Sequence, residues 1–209
     1  MYLFVRSRRL DPGEASAGME AVVKLTEAAR AVTGRQIDAW AAVMSPEVGT
    51  IAWTLWAEHL TDIEAAGDAL AADSSFAKLV EKVDDHFDGP VTDGLAMLVH
   101  GAPDLAGDPP TYVAVVTATA ANGRLMDAIT GGIEIAEMAT KLGGQPTMLA
   151  VAATGAYGGL MWMTPSPDIA TLEAGEAAVN ADPGFMSLVD GFGTAYAPGA
   201  TQTLYRRIV

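Results

Sequence analysis

The sequence predicts an α+β fold made of two tandem ferredoxin-like units, each with the element order β-α-β-β-α-β, that pack sheet to sheet. Two observations lead to this prediction: the second half of the chain repeats much of the first, and each half alternates strand-like and helix-like segments in the same order. A stretch rich in Gly and Pro separates the halves. The predicted boundaries are 1–101 for the first unit, 102–110 for the linker and 111–209 for the second unit.

The internal repeat is seen when the chain is aligned on itself at an ungapped offset of 109 residues, which places 34–100 on 143–209. Fifteen of the 67 positions are then identical, about 22%, where roughly 6–8% is expected by chance for this Ala-rich composition. Trp53/Trp162 is the most informative match, because the chain has only four Trp. The residues before this segment show no identity at the same offset, but both halves begin with a strand, a polar turn and a helix.

The first unit is predicted to begin with a strand rich in β-branched and aromatic residues. A helix with apolar residues at three- and four-residue spacing follows and ends at Gly34. Pro46 and Gly49 mark the turn of a hairpin, after which come two helices and a last strand. The predicted strands are 2–10, 37–44, 50–58 and 94–100, and the predicted helices are 14–33, 62–72 and 74–83.

The second unit follows the same order, with Asn122 as a candidate N-cap for its first helix. Its predicted strands are 112–120, 148–154, 160–164 and 202–209, and its predicted helices are 123–142, 168–180 and 183–190. Helices cover only one face of such a sheet, so the other apolar face needs a partner. Two units in one chain provide that partner for each other.

Composition excludes several functional classes. The chain has 26 acidic and 12 basic residues and a net charge of −14, which argues against nucleic acid as a partner because phosphate binding needs clustered Lys and Arg. The chain has no Cys and therefore no disulfide, thiolate nucleophile or Cys-ligated metal. No apolar run reaches about 18 residues and the N-terminus does not resemble a secretory signal, so we expect a cytoplasmic protein that does not enter membranes. An internal pseudo-dimer predicts a monomer, or a homodimer through further association.

A recurring motif connects both halves to a known superfamily. In the segment 52–76 a Trp-containing strand is followed by a helix that carries Glu64 and Ala65 and by an Ala-Asp-x-x-Phe step. The second half repeats the motif with Glu173 and with Ala-Asp-Pro-Gly-Phe ending at Phe185. These motifs resemble the dimeric α/β-barrel superfamily, particularly NIPSNAP-like and antibiotic-biosynthesis-monooxygenase-like domains. The resemblance implies a pseudo-dimeric α/β barrel with a cavity between its two sheets, but no single activity, since the superfamily includes oxygenases, isomerases, decarboxylases and haem enzymes.

Strand periodicity predicts which side chains face that cavity. Trp53 and Trp162 are expected to pack against the helices, so the residues that alternate with them face the other way. Mostly apolar walls with a few polar groups suit a small apolar molecule, although the same side chains can simply fill a small barrel. The candidate substrate-binding residues are Trp40, Met44, Thr54, Trp56, Met161, Met163, Tyr205 and Arg207.

The candidate catalytic residues are Glu58, His59 and His100. A His within reach of a carboxylate can act as a general base near pH 7. The alternative is a solvated His59 and a structural His100, because adjacent strand residues point to opposite faces. His86, a single His among Asp residues, favours a solvated acidic loop over a metal site. No cofactor is expected: tandem haem enzymes of the superfamily generally take a proximal His from the second copy, and all three His here lie in the first.

Two functional hypotheses follow from these features. In the first, the chain binds a small apolar molecule, aromatic or polyketide-like, with or without cofactor-independent oxidation or isomerisation. In the alternative, it is a non-catalytic structural or interaction module whose barrel is filled by side chains. A cavity of several hundred Å³ with His, Glu, Arg or Tyr in its wall would favour the first hypothesis.

Overall fold

The structure is a computed structural model that describes residues 1–209. The strands are β1 (Tyr2–Leu10), β2 (Asp38–Val43), β3 (Thr50–Ala57), β4 (Phe87–His100), β5 (Tyr112–Thr119), β6 (Met148–Ala152), β7 (Gly159–Ser166) and β8 (Thr201–Arg207). The helices are α1 (Ala15–Thr33), α2 (Leu60–Ala72), α3 (Ser74–Val83), α4 (Leu125–Gly143), α5 (Ile169–Ala181) and α6 (Pro183–Gly191). None of these helices has both the length and the apolar character that crossing a membrane requires.

The eight strands form a closed antiparallel barrel with the hydrogen-bonded order β1-β3-β2-β8-β5-β7-β6-β4. The element order of a ferredoxin-like unit occurs twice along the chain. The predicted α+β fold class, a pseudo-dimeric α/β barrel of two such units, is therefore confirmed. The chain divides into two compact units, Met1–Leu95 with Arg206–Val209 and Ala96–Tyr205, which we call the first and the second unit. The domain bounds derived from the sequence stay a prediction.

Strand β4 begins seven residues earlier than predicted, at Phe87 instead of Gly94. Gly89 and Pro90 lie in this extension, although both residue types disfavour strands. Contacts distant in sequence hold it in place: Asp93 accepts two hydrogen bonds from Arg6, each 2.8 Å long. A local pattern cannot contain such a partner, because the two residues are 87 positions apart.

The strand register shows how the halves correspond residue by residue. Tyr2 pairs with Ala57 and Tyr112 with Ser166, so the first strands are 110 residues apart (112 − 2) and the third strands 109 (166 − 57). The ungapped offset of 109 is therefore wrong before the middle hairpin, because the second hairpin is one residue shorter. At an offset of 110 the opening residues do match. The identical pairs there are Tyr2/Tyr112, Val5/Val115, Gly13/Gly123, Glu27/Glu137, Ala29/Ala139 and Gly34/Gly144.

Gly34 and Gly144 show why the shifted offset is the structural one. Each lies in the left-handed region, with φ of 64° and 72°, and each ends the long first helix of its half. Glycine adopts this conformation without the steric penalty of a Cβ, which makes it the common residue at this position. The earlier pairing of Gly34 with Gly143 matched a helix-ending residue with the last residue inside a helix.

The helix-facing side of the sheet forms the core of each unit. In the first unit, the indole N–H of Trp53 donates to the buried Thr26 hydroxyl at 3.0 Å. In the second unit, the indole N–H of Trp162 donates to the Gly132 carbonyl at 2.9 Å. Each indole thus has a partner for its only donor inside apolar surroundings. The predicted core position of both Trp residues is confirmed.

The crossing of α4 and α5 depends on two glycines. A Cβ built on Gly175 would lie 2.9 Å from the carbonyl oxygen of Gly143, a backbone atom that cannot rotate away. We expect Gly175→Ala to lower the free energy of unfolding by about 1–3 kcal/mol, measured by chemical denaturation. Gly67→Ala in α2 is the matched control: its Cβ would meet nothing within 4 Å, so it should raise stability by about 0.5–1 kcal/mol. Effects of the same sign would contradict the close helix approach.

Candidate functional site

A cavity of about 410 Å³ lies within the second unit, between the helix-facing side of its sheet and helices α4, α5 and α6. The strands contribute Ala114, Val116, Ala118, Trp162 and Thr164 to its wall. The helices contribute Ile135, Ala139, Gly143, Leu172, Gly175, Val179, Phe185 and Val189. Such a wall is mostly apolar, and the volume is in the range of small-molecule sites.

The cavity occupies the place that a packed hydrophobic cluster fills in the first unit. Nine lining residues correspond, through the 109 and 110 offsets, to the nine residues of a cluster around Leu55 and Ala66. Five of the nine are smaller in the second unit. The pairs, first unit before second, are Phe4/Ala114, Ile37/Thr147, Leu55/Thr164, Ala66/Gly175 and Leu70/Val179. Both units have the same order of elements, and smaller side chains in the second unit therefore open the cavity. This is unusual, because the core of a protein is normally closely packed.

Two of these replacements introduce hydroxyl groups into the wall. The Oγ1 atoms of Thr147 and Thr164 lie 2.9 Å apart and share a hydrogen bond. Thr147 is buried, and it takes the place of an isoleucine in the first unit. Buried hydroxyls need partners, and this pair satisfies one of its two hydrogens internally. The inner wall thus carries one polar spot in apolar surroundings.

The mouth of the cavity is polar and solvent-exposed. Gln202, at the start of β8, donates from Nε2 to Oε1 of Glu176 on α5, at 3.2 Å. Both side chains line the cavity and belong to exposed residues, as does Asn180. Glu176 is the one charged residue in the lining. This hydrogen bond therefore joins α5 to β8 at the solvent-exposed part of the lining, which we call the mouth.

Tyr196 is the titratable aromatic residue of the wall. Its hydroxyl donates to the carbonyl oxygen of Ala128 at 2.9 Å, and its ring packs edge-to-face on Trp162 with centroids 5.7 Å apart. Burial raises the pKa of Tyr196 to about 12, because the phenolate would lose hydration. The phenol therefore stays protonated at neutral pH and acts there as a hydrogen-bond donor to the protein, not as a base.

The raised pKa of Tyr196 predicts a pH dependence. Because the folded pKa lies above the ordinary value of 10, the contribution of Tyr196 to stability is complete below pH 10 and is lost as the pH rises towards 12. Absorbance titration at 295 nm should show one tyrosine with a midpoint near pH 12 that is missing in Tyr196→Phe. The stability difference between the two proteins should shrink between pH 10 and 12. A lost midpoint near pH 10 in the variant would contradict the burial of this phenol.

The predicted catalytic residues lie outside this cavity. Glu58 and His59 are exposed and lie between the end of β3 and the start of α2. The backbone N–H of His59 donates to the Asp62 carboxylate at 3.1 Å, and this bond is the main reason that the pKa of Asp62 lies below its usual range. The hydrogen bond from Arg35 to Asp62 lowers the pKa further. His59 thus begins a helix, in line with the alternative noted for it. His100, half-buried, ends β4. Their catalytic role stays a prediction.

Of the predicted binding residues of the first unit, Trp40, Thr54 and Trp56 alternate along β2 and β3 with residues of the core clusters and therefore point to the other face of the sheet. Trp40 is buried, and its indole N–H donates to Thr54 Oγ1 at 2.9 Å. Trp56 is half-buried, and Met44 is exposed, with a positive φ of 49°. Arg207 lies 3.5 Å from the carboxylate of Asp38, which also pairs with Arg30 at 3.2 Å.

Those of the second unit, Met161, Met163 and Tyr205, also lie outside the cavity lining. Met161 and Met163 alternate along β7 with Trp162, so they point to the face opposite the cavity. Met163 is buried and Tyr205 is half-buried. The structure thus brings none of the eleven predicted residues into the cavity it contains, and their role in binding stays a prediction.

Sequence reasoning missed the cavity residues because it assigned the helix-facing side of both sheets to core packing. A signal was present in the small residues Ala114, Ala118 and Gly143, but only the corrected offset sets them against their larger counterparts. With the offset of 109, Ala114 is compared with Val5 and the contrast with Phe4 is lost. The one-residue difference between the hairpins therefore hid part of the signal, although Gly175 is compared with the larger Ala66 at the offset of 109 as well.

The residues of the cavity do not fit a haem of the kind used by tandem members of the superfamily. Its lining contains no His and no Lys or Arg that would pair with propionate groups. Tyr196, an alternative ligand, donates its hydroxyl to the backbone instead. No group of three or more His, Asp or Glu side chains is arranged to hold a metal ion.

Comparison with solved structures finds the same fold at low sequence identity. A proposed monooxygenase from Fusobacterium nucleatum superposes with a TM-score of 0.69 at 9% identity, covering 100% of this chain and 92% of its own. A proposed monooxygenase from Lactobacillus acidophilus gives 0.62 at 10% identity, covering 100% and 94%. An anthrone oxidase-like protein gives 0.67 at 10% identity, covering 99% and 90%.

At these identities the similarity establishes the fold alone. The predicted resemblance to the dimeric α/β-barrel superfamily is confirmed at that level. No protein-family model matches the chain, and no curated protein matches its sequence.

Proposed function

We propose that this protein binds a small apolar molecule, aromatic or polyketide-like, in the cavity of its second unit. The observation that carries the proposal is the contrast between two matched places in one chain. The first unit closes this place with Phe4, Leu55 and their neighbours, whereas the second unit leaves about 410 Å³ open. An apolar wall with a few placed polar groups is the usual composition of a small-molecule site.

The wall also contains two of the residue types expected to favour a ligand site, Glu176 and Tyr196. One structural neighbour is anthrone oxidase-like, and an anthrone is an aromatic molecule, which supports an aromatic ligand. The apolar lining, which includes Trp162, favours burial of an aromatic ring. Such burial stabilises the complex by roughly 25 cal/mol for each Å² of apolar surface removed from water.

The proposal is tested by thermal unfolding with 2-naphthol and an anthrone analogue. At a ligand concentration of 100 times the dissociation constant, binding stabilises the folded state by about 2.7 kcal/mol. For a chain of this length that corresponds to a rise of about 5–10 °C in the melting temperature. An unchanged melting temperature across a panel of such ligands would refute the proposal.

Cofactor-independent oxidation or isomerisation of a small apolar molecule is a separate proposal. The residues proposed for it are Glu58, His59 and His100, which lie outside the cavity of the second unit. Aerobic incubation with an anthrone analogue, followed by chromatography of the products, tests it directly. Turnover that is lost in both His59→Ala and His100→Ala would support catalysis by these residues; turnover that survives in both would exclude them.

The alternative function is a non-catalytic structural or interaction module. The burial of Trp40 and Met163, two of the residues predicted to bind substrate, favours it. It differs from the first proposal in requiring no ligand, so the same thermal-shift panel separates the two. For either function we propose a cytoplasmic monomer or homodimer, to be distinguished by light scattering as 21.6 kDa or twice that mass.

A further inference from the structure

We infer that the cavity selects an uncharged ligand whose apolar body carries a hydroxyl or carbonyl oxygen, and that this oxygen binds at the Thr147 and Thr164 hydroxyls. The inference rests on the proposed function, which supplies the cavity as a binding site, and adds the chemical class of its ligand. Two separate features of the wall carry it: the threonine pair on the inner surface and Glu176 at the mouth.

The threonine pair is the polar spot that a ligand oxygen would find inside. One hydroxyl donates to the other across 2.9 Å, which leaves one hydroxyl hydrogen and several lone pairs for a further partner. The same lining contains Trp162, Leu172 and Gly175, none of which has a side-chain acceptor for that hydrogen. A neutral hydroxyl or carbonyl oxygen completes the pair without bringing a charge into an apolar wall.

The same two positions hold Ile37 and Leu55 in the first unit, where they belong to the packed cluster. An apolar cavity of the same shape would therefore need only smaller aliphatic side chains, such as Val or Ala. Threonine at both positions, in mutual hydrogen-bonding contact, adds polar chemistry beyond the space itself. That addition is what points to an oxygen on the ligand.

Glu176 determines which charge the ligand can carry. It is the one charged residue of the lining, and it is held at the mouth by Gln202. A carboxylate entering the cavity would approach this carboxylate with no lining cation to neutralise it, and like charges a few ångströms apart repel. The net charge of −14 adds to this repulsion over longer distances.

The test uses three ligands on one skeleton: 2-naphthol, 2-methylnaphthalene and 2-naphthoate. Dissociation constants are measured by fluorescence titration of the full chain at pH 7. We expect 2-naphthol to bind about three- to tenfold more tightly than 2-methylnaphthalene, the usual strength of one neutral hydrogen bond. We expect 2-naphthoate to bind at least about tenfold more weakly than 2-naphthol.

Two variants assign these preferences to their residues. The double variant Thr147→Val, Thr164→Val keeps the shape of both side chains but removes both hydroxyls, and it should bring the ratio of the naphthol and methylnaphthalene dissociation constants to about one. Glu176→Gln should reduce the ratio of the naphthoate dissociation constant to the naphthol dissociation constant by about three- to tenfold. Glu173→Gln is the matched control, because Glu173 is exposed on the same helix but lies outside the lining. This substitution removes the same charge and should leave the ratio of the naphthoate and naphthol dissociation constants unchanged.

The outcomes distinguish failure of the inference from failure of the proposed function. Equal binding of naphthol and methylnaphthalene, or of naphthol and naphthoate, would overturn the selectivity while leaving the cavity as a binding site. Equal effects of the Glu173 and Glu176 variants would reduce the charge effect to net charge and overturn the role of Glu176. Binding of none of the three ligands would refute the proposed function, and the inference with it.

Discussion

Ala114→Phe is expected to abolish the binding of 2-naphthol and to raise the melting temperature of the free protein by about 2–6 °C. The reason is that Phe4 occupies the corresponding position of the first unit, where its ring packs in the cluster around Leu55 and Ala66. In the second unit the same ring would project into the cavity, where Thr164 and Gly175 leave more room than their counterparts. Thermal unfolding with and without ligand measures both effects in one experiment.

The control for this substitution is Ala177→Phe. Ala177 is exposed on α5 and does not line the cavity, so the added ring should leave naphthol binding intact. If Ala114→Phe folds and still binds naphthol with the affinity of the unchanged protein, the ligand binds elsewhere. The face that carries Trp40 and Trp56 would then become the first place to look.

Phe4→Ala is the reciprocal change and is expected to lower the free energy of unfolding by about 2–3 kcal/mol. This value lies below the range of about 3–5 kcal/mol for Phe-to-Ala substitutions in a core, because Phe4 is only partly buried. The melting temperature should fall by about 4–12 °C. Since the change removes the ring that closes the first-unit site, 2-naphthol should restore part of the loss and bind with a higher stoichiometry than in the unchanged protein.

A matched variant separates cavity formation from a general loss of packing. Phe4→Leu keeps most of the side-chain volume and should cost less than about 1.5 kcal/mol, with no gain in naphthol stoichiometry. Equal destabilisation by the Ala and Leu variants would show that the aromatic ring matters more than its volume. The ring contacts Arg6, whose guanidinium carbon lies 5.8 Å from the ring centroid.

Much of the fold could be predicted from local patterns. Alternation along a strand and a rare matched residue predict core positions for Trp53 and Trp162, and both predictions are confirmed. The start of β4 could not be predicted, since the partner of Asp93 is Arg6, which lies far away in sequence. The correct alignment offset between the two halves could be found only from the structure. The second hairpin is one residue shorter, which shifts every match before it, and the composition does not show where that residue is missing.

Less of the candidate site than of the fold could be predicted from local patterns. Periodicity separates the two faces of a strand, but it cannot say which face is filled and which is open, because that depends on volumes contributed by several elements at once. Ala114, Thr147, Thr164 and Gly175 are ordinary residues one by one. Only their convergence on one space, set against the filled counterpart in the first unit, distinguishes a cavity from a core.

By itself, the sequence determined the α+β class, the repeated order of elements and the orientation of the two shared tryptophans. These features follow from hydrophobic periodicity and turn residues, which are local properties of the chain. The tertiary structure decided where the open space lies and which polar groups reach it, from the hydroxyl pair of Thr147 and Thr164 to Glu176 at the mouth. These features depend on side-chain volumes and distances between segments far apart in sequence, and no local pattern contains them.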